Sequence, residues 1–485
     1  MLKMKNSLIY DNFQKVTNKQ TSFEEIVKDK IQLSENSIKN QDNIVLDIFK
    51  DEAINAAKNI DASPNKDIYS GVTFFLKDNI NYLNKKTTSG SKIMNDFVSV
   101  FNATIVDNII ANNGIILGKL NLDELGHAGT GTFSAFGLVR NPLDPTRITG
   151  GSSSGSAAAI KLELCDVAIG TDTGDSIRHP ASFLGLVGYK PSYGLVSRYG
   201  VTPFASSLDH VGVLTRDVVD AAIGIDMMKG FDSKDFTSID VSKEKYFDKL
   251  TITDKKYKIL VLDDVAAGIQ EHIKPKFDNF INDLKIKQDV SFDSFGLELL
   301  QILSPLYMAT SYMEGSSNWS NVNGILFGAH DDKQYKNYNE LITKAREQFG
   351  HEVKSRYMIS NFFTSSDNFD IIYQNSVKIR RIVVNRINEL LGKYDAVLIP
   401  SSSSYAPLLD DVLHNKLAVG PNYCDDALMI ANFSGVPSIT IPLTSEQNPN
   451  AFGINLMGLK YTDDKLLNIA YNLESLIKER GYYDK

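Results

Sequence analysis

Between residues 22 and 61 apolar side chains return at helical spacing, as in FEEIVKDKIQL and IVLDIFKDEAINAAKNI, which predicts two or three amphipathic helices. Beyond residue 66 the pattern changes. The stretches GVTFFLKDNI (71–80), ATIVDNIIANNGIILGKLN (103–121) and LCDVAIGTDT (164–173) alternate short strand-like apolar runs with helical ones. Such alternation predicts an α/β fold, a mixed central sheet covered by helices on both faces. From about 231 to 257 the chain is charged and poor in apolar periodicity, and YKILVLDD (257–264) then opens a new buried strand, so a subdomain seam is expected there. Residues 265–395 read as largely helical, whereas YDAVLIP (394–400), VPSITIPL (436–443) and AFGINLMG (451–458) return to strand character. Because the late strands can rejoin the earlier sheet, the expected organisation is an N-terminal helical segment, 1–65, followed by one large α/β domain, 66–485.

Composition narrows the class. With 42% hydrophobic and 23% charged residues among 485, the chain has ample material for a core, and disorder is not indicated. The net charge of −8 argues against a surface built mainly to neutralise nucleic-acid phosphates, so contact with RNA is expected to fall mainly to a partner. Cys165 and Cys424 are the only cysteines, which leaves no disulfide framework and no zinc-ligand spacing; no metal site is expected, and both thiols are expected to be reduced in a cytoplasmic protein. The first residues lack the apolar core of a signal peptide, and no apolar run approaches membrane-spanning length.

Chemistry concentrates in two Gly-rich turns and one lysine. GGSSSGSAAA (150–159) carries Ser152, TDTGDSIRHP (171–180) carries Ser176, and Lys77 lies far upstream in FFLKDNI. A serine hydroxyl is a poor nucleophile at neutral pH unless a neighbouring base removes its proton. Lysine serves as that base only when neutral, and a pKa of ~10.4 in water leaves about one molecule in a few thousand neutral at pH 7. Burial corrects this by penalising the charged form, and the apolar FFL before Lys77 points to such burial. Other readings of the same residues stay open. The run at 150–156 lacks the Lys-Ser or Lys-Thr ending of a phosphate-binding loop, and Arg178 stands where a G-x-S-x-G elbow has its second glycine. His179 and His210 leave a Ser-His pair conceivable.

The order FFLKDNI, GGSSSGSAAA, TDTGDSIRHPASFLGLVGYKPSYG and SLDHVGVLTRDV resembles the amidase signature family, from about residue 45 to the end. That resemblance implies a large mixed sheet between helical layers, with Ser176 as nucleophile, Ser152 as bridging serine and Lys77 as general base. It also implies an oxyanion hole of the backbone N–H groups of Thr173, Gly174, Asp175 and Ser176, with Asp172 and Arg178 supporting the loop. Three later segments are similar to the family branch that serves as the glutaminase component of tRNA-dependent amidotransferases: EGSSNWSNVNGILFG (314–328), EVKSRYMIS (352–360) and the Asp425 stretch before FSGVPSITIP. Alignment to that branch implies Arg356 on the glutamine carboxylate, Asp425 on its α-ammonium, with Asp426 as the alternative one register away, and Tyr307 lining the pocket. A zwitterion needs one fixed cation and one fixed anion, and guanidinium grips a carboxylate through two hydrogen bonds. The branch further implies B and C subunits in a heterotrimer, ATP and Mg2+ held by the B subunit with no cofactor in this chain, and tRNA bound mainly through the B subunit.

Two positions depart from the family pattern. Asp175 stands where glycine is usual before the nucleophile, and its carboxylate is expected to oppose the oxyanion or to pair with Lys77, slowing the site. Ser154 replaces a usual glycine and is expected to narrow the approach of its turn to a neighbour. Three functions follow: a glutaminase subunit feeding ammonia to a tRNA-dependent partner, a free-standing amidase, and an assembly subunit impaired by Asp175.

Overall fold

A computed structural model describes residues 7–240, 244–329, 335–414, 422–444 and 450–482. Its centre is one sheet of eleven strands: β1 (Val45–Ile48), β2 (Thr73–Lys77), β3 (Ile115–Leu120), β4 (Val167–Asp172), β5 (Val187–Lys190), β6 (His210–Thr215), β7 (Lys258–Leu262), β8 (Asp289–Asp293), β9 (Ala396–Pro400), β10 (Ser438–Pro442) and β11 (Gly453–Met457). They lie in the order β1-β3-β2-β4-β6-β5-β10-β11-β9-β7-β8. β2 runs parallel to β3 and β4, and β7 runs parallel to β8 and β9; the remaining pairs are antiparallel, so the sheet is mixed.

Both faces are covered, and the two-residue period of the strands sorts their side chains between them. Phe74 and Leu76 of β2 and Val167 and Ile169 of β4 enter one apolar cluster, with Ile223 and Met227 of the helix Val218–Met228. Phe75 and Ala168 enter the other, with Ala157 to Ile160 of the helix Ser154–Lys161 and Ala181 and Leu184 of the helix Arg178–Leu184. Central strands buried on both faces read as continuous apolar runs, which is why β2, β4 and β9 stand out in the sequence. No helix among the described residues is long and apolar enough to cross a membrane.

Two strands replace expected helix. The first helix of the 22–61 stretch ends at Lys39, after a start capped reciprocally by Ser22 and Glu25. Gln41 and Asn43 then take positive φ, which stops helical propagation, and Val45–Ile48 pairs antiparallel with β3 as an edge strand. Helix resumes only over Lys50–Ala62. The segment 1–65 therefore contributes a strand to the main sheet as well as helices. β8 lies within the stretch read as helical; it is a sheet edge whose five residues are all at least partly exposed, so no burial period betrays it. At the expected seam, described residues near 246 fold back: the Asp226 carboxylate accepts the N–H groups of Tyr246 and Phe247. β7 then joins β9, placing late and early strands in one sheet.

Candidate active site

Lys77 is the last residue of β2, and its side chain is wholly buried. Nζ lies 2.7 Å from Ser152 Oγ, 3.0 Å from Ser153 Oγ and 2.9 Å from Thr171 Oγ1. These neighbours are neutral hydroxyls, and among the described residues no carboxylate pairs with the amine. Burial therefore dominates and brings Lys77 down from the ordinary lysine value to about 7, against an upward pull from the more distant Asp123, Asp172 and Asp209. The cage is fixed from behind, since Ser153 Oγ donates to the Thr171 carbonyl and Asn79 Nδ2 donates to Thr171 Oγ1.

Ser152 sits in the turn before the helix Ser154–Lys161. Gly150 and Gly151 take φ of +85° and +57°, and a Cβ on either would come within 2.5 Å of Phe183 or Pro180. Glycine at both places lets the turn lie against the helix Arg178–Leu184, which follows Ser176. Ser176 comes alongside through its backbone: its carbonyl accepts the Ser153 N–H at 3.3 Å. Its hydroxyl makes no hydrogen bond among the described residues. The Lys77–Ser152 contact is thus complete, and the link onward to Ser176 Oγ is open in this structure.

The loop from β4 to Ser176 leaves the N–H groups of Thr173, Gly174, Asp175 and Ser176 without protein acceptors among the described residues. A row of unspent donors beside a serine is the geometry an oxyanion requires. The loop is held open by a fully buried ion pair. Asp172 takes Arg178 in two hydrogen bonds, Nη2–Oδ1 at 2.9 Å and Nε–Oδ2 at 3.1 Å, and also accepts the Ile177 N–H and Asn432 Nδ2. Burial raises the carboxyl, and the Arg178 charge with these hydrogen bonds overcomes it, holding Asp172 well below the usual carboxylate range. Arg178 Nη2 also donates to the Gly174 carbonyl, tying that peptide to the ion pair.

Tyr307, on the helix Leu297–Trp319, packs on Gly174, where a Cβ would come 3.0 Å from its ring. The Arg356 and Asp175 charges both act on the Tyr307 phenol, which burial keeps neutral, so these groups share one neighbourhood. Arg356 is not a free cation. Glu352, one helical turn earlier, binds it at 2.9 Å, and the guanidinium lies 4.9 Å from the Tyr312 ring centre. Asp425 accepts the Ser403 N–H at 2.6 Å and the Ser403 hydroxyl at 2.7 Å. It also faces His179 Nε2 at 3.9 Å. A cavity of about 400 Å3 is lined in part by Asn79, Thr171 and Thr173.

Several expectations are corrected. Asp175 does not pair with Lys77: its carboxylate lies 3.0 Å from His179 Nδ1. Neither candidate histidine engages Ser176, because His179 is turned to Asp175 and Asp425, while His210 Nδ1 lies 2.6 Å from the Leu208 carbonyl. Ser154 lies against Gly131, where an added Cβ would come 2.7 Å from Ser154 Cβ, so glycine at 131 leaves room for the serine. Ser153, Thr171, Asn432, Ser403 and Glu352 join the site without having been expected from the sequence. Of these only Glu352 leaves a local signal, its i,i+4 spacing to Arg356.

A sequence model of the family described as Amidase matches residues 29–467. The chain belongs to the amidase family. Within it, the chain is 38% identical over 427 residues to the A subunit of the glutamyl-tRNA(Gln) amidotransferase of Mycoplasma genitalium, covering 87% of this chain and 89% of that one. Identity to the same-named protein of Ruminiclostridium cellulolyticum is 36%, covering 85% of each. Among solved amidase-family structures, the A subunit of the Thermotoga maritima glutamyl-tRNA(Gln) amidotransferase superposes with a TM-score of 0.72 at 30% identity over 94% of each chain. A peptide amidase from Stenotrophomonas maltophilia shares the fold, with a TM-score of 0.80 at 22% identity, covering 98% of this chain and 97% of that one.

Proposed function

We propose that this chain is the ammonia-releasing subunit of a tRNA-dependent amidotransferase, hydrolysing glutamine through Lys77, Ser152 and Ser176. The observation that carries this reading is the buried Lys77 amine, 2.7 Å from Ser152 and enclosed by hydroxyls, beside a loop of unspent N–H donors. The named relatives support the choice of glutamine and of a tRNA-dependent complex.

In the proposed reaction, neutral Lys77 accepts the Ser152 proton while Ser152 accepts the Ser176 proton. Ser176 Oγ then bonds to the carboxamide carbon of glutamine. The resulting oxyanion lies among the N–H groups of residues 173–176, and return of the proton to the leaving nitrogen expels ammonia. Water, deprotonated through the same relay, releases glutamate from Ser176. Arg356 holds the substrate carboxylate, Asp425 its ammonium, and Tyr307 lines the pocket. Engaging Arg356 means sharing or displacing Glu352. B and C subunits complete a heterotrimer in the cytoplasm, with ATP, Mg2+ and most tRNA contacts in the B subunit. The test is to mix the chain, assembled with its partners, with glutamine, quench in acid and map the acylated residue by mass spectrometry. The expected result is a glutamyl ester on Ser176 that is lost in Ser176→Ala; an ester elsewhere overturns the assignment.

A further inference from the structure

Asp175 places a carboxylate inside the turn that the proposed mechanism uses for its oxyanion, where an unscreened negative charge raises the barrier. The structure gives that carboxylate a partner. His179, one helical turn on, sets Nδ1 3.0 Å from Asp175 Oδ2, and its backbone N–H donates to the Asp175 carbonyl at 2.9 Å. The other ring nitrogen, Nε2, is buried without a hydrogen-bond partner among the described residues and faces Asp425 Oδ1 at 3.9 Å. The Phe183 ring, 4.3 Å away between centres, holds the imidazole from the side.

The charges around this imidazole are three carboxylates and one arginine. Asp175 comes from the loop after β4, and Asp425 and Asp426 come from the helix Tyr423–Asp426. Arg178, on the same helix as His179, is committed to Asp172, Asn432 and the Leu428 carbonyl. From the Leu297–Trp319 helix the titratable group that faces this neighbourhood is the neutral Tyr307 phenol. His179 thus lies between the carboxylates.

We propose that His179, as an imidazolium, is a positioning residue that draws the Asp175 carboxylate out of the oxyanion pocket and orients Asp425 toward the substrate's ammonium. The inference rests on the proposed glutaminase reading and deepens it. Burial works against the imidazolium, but the Asp175 hydrogen bond and the Asp175 and Asp425 charges outweigh it and hold His179 above the ordinary histidine value. Burial and the other two carboxylates in turn push Asp426 up to about 7, so Asp426 carries little charge until neutral pH. As pH rises past the His179 value the clamp loses its charge. Activity should then fall as the imidazolium loses its proton on the alkaline side.

The assembled enzyme tests this with His179→Gln, which keeps a hydrogen-bond donor for Asp175 and removes the charge. The expected result is a loss of about tenfold in kcat with the alkaline limb abolished, and recovery of most of that loss in Asp175→Gly/His179→Gln. A merely structural role would leave the alkaline limb in place and make the two substitutions additive, and either result overturns the proposal. A second readout needs no turnover. Histidine-selective labelling of the full chain gives seven imidazoles to follow by NMR. The signal lost in His179→Gln should titrate above ~6.5 in the native chain and fall below it in Asp175→Asn, where burial is no longer outweighed. An unchanged titration in Asp175→Asn refutes the clamp even if Lys77 and Ser176 variants behave as the glutaminase reading requires.

Discussion

Replacing Lys77 with methionine keeps an unbranched chain out to the ε carbon and removes the basic nitrogen from its hydroxyl cage. Two effects of opposite sign follow. Catalysis should fall by ~10²–10⁴ in kcat, the usual contribution of a positioned general base. Stability near neutral pH should rise. Unfolded, Lys77 keeps its proton to about pH 10.4; folded, burial makes it release that proton near 7. Between these values the unfolded chain binds the extra proton, so stability climbs with pH across this window and the penalty is nearly full at pH 7 and below. The difference corresponds to roughly 5 kcal/mol. Part of that relief is offset, because methionine gives up the contacts to Ser152, Ser153 and Thr171 at about 1 kcal/mol each. Ser153 keeps its bond to the Thr171 carbonyl and Thr171 keeps Asn79, so only Ser152 loses its partner outright. A net gain of about 1–3 kcal/mol at pH 7 is expected, shrinking toward pH 10.

The assays are urea unfolding of native and Lys77→Met chains at pH 6, 7, 8 and 9.5, and ammonia release from glutamine over the same range. In the native enzyme kcat/KM should rise with an apparent pKa near 7 as the amine becomes neutral. Burial pushes Asp123 and Asp209 up to about 6, so they finish ionising just below that limb and add their charge before it. A flat profile between pH 6 and 8, a Lys77→Met enzyme that keeps more than about a tenth of native kcat, or one less stable than native at pH 7 would refute the buried-base reasoning.

Arg178→Met leaves Asp172 buried without its counter-ion, so urea unfolding should register a loss of about 3–5 kcal/mol, and whatever folds should show kcat reduced more than KM is raised. Arg356→Lys trades a planar fork for a point charge already facing Glu352; steady-state kinetics should show KM for glutamine up about tenfold with kcat little changed. Gly174→Ala sets a methyl 3.0 Å from the Tyr307 ring. The ring can give by a few tenths of an ångström, so stability should change by less than about 1 kcal/mol, while displacement of the oxyanion loop lowers kcat in the same assay.

The legible parts of this chain are those whose signal is local. Runs such as FFLK and VAIGTD are buried on both faces and read directly as central strands, and their polar ends put Lys77 and the Ser176 loop at strand exits. β1 is hidden because it lies between two true helices and has one buried residue, and β8 because it has none. In the site, Asp175–His179 and Glu352–Arg356 are both i,i+4 pairs, so the sequence carries them without announcing which partner each charge would choose. Asn432 on Asp172 and Ser403 on Asp425 carry no such signal: they meet their partners across 260 and 22 residues, and only the folded chain brings them together.

One short helix governs both serines. Arg178, its first residue, fixes the Ser176 loop through Asp172 and the Gly174 carbonyl. Pro180 and Phe183, on the same helix, are the surfaces against which Gly150 and Gly151 seat the Ser152 turn. Lys77 does not share this support, because it is carried by β2 between β3 and β4. A shift of Arg178–Leu184 therefore moves both serines relative to the base. Since a hydrogen bond of 2.7 Å weakens steeply within about 1 Å, the Lys77–Ser152 contact and the open Ser152–Ser176 link respond to the same displacement. In the proposed mechanism the buried Asp172–Arg178 pair would therefore act on proton transfer although neither residue touches the reacting atoms, and a loss of kcat in its variants would follow from geometry alone.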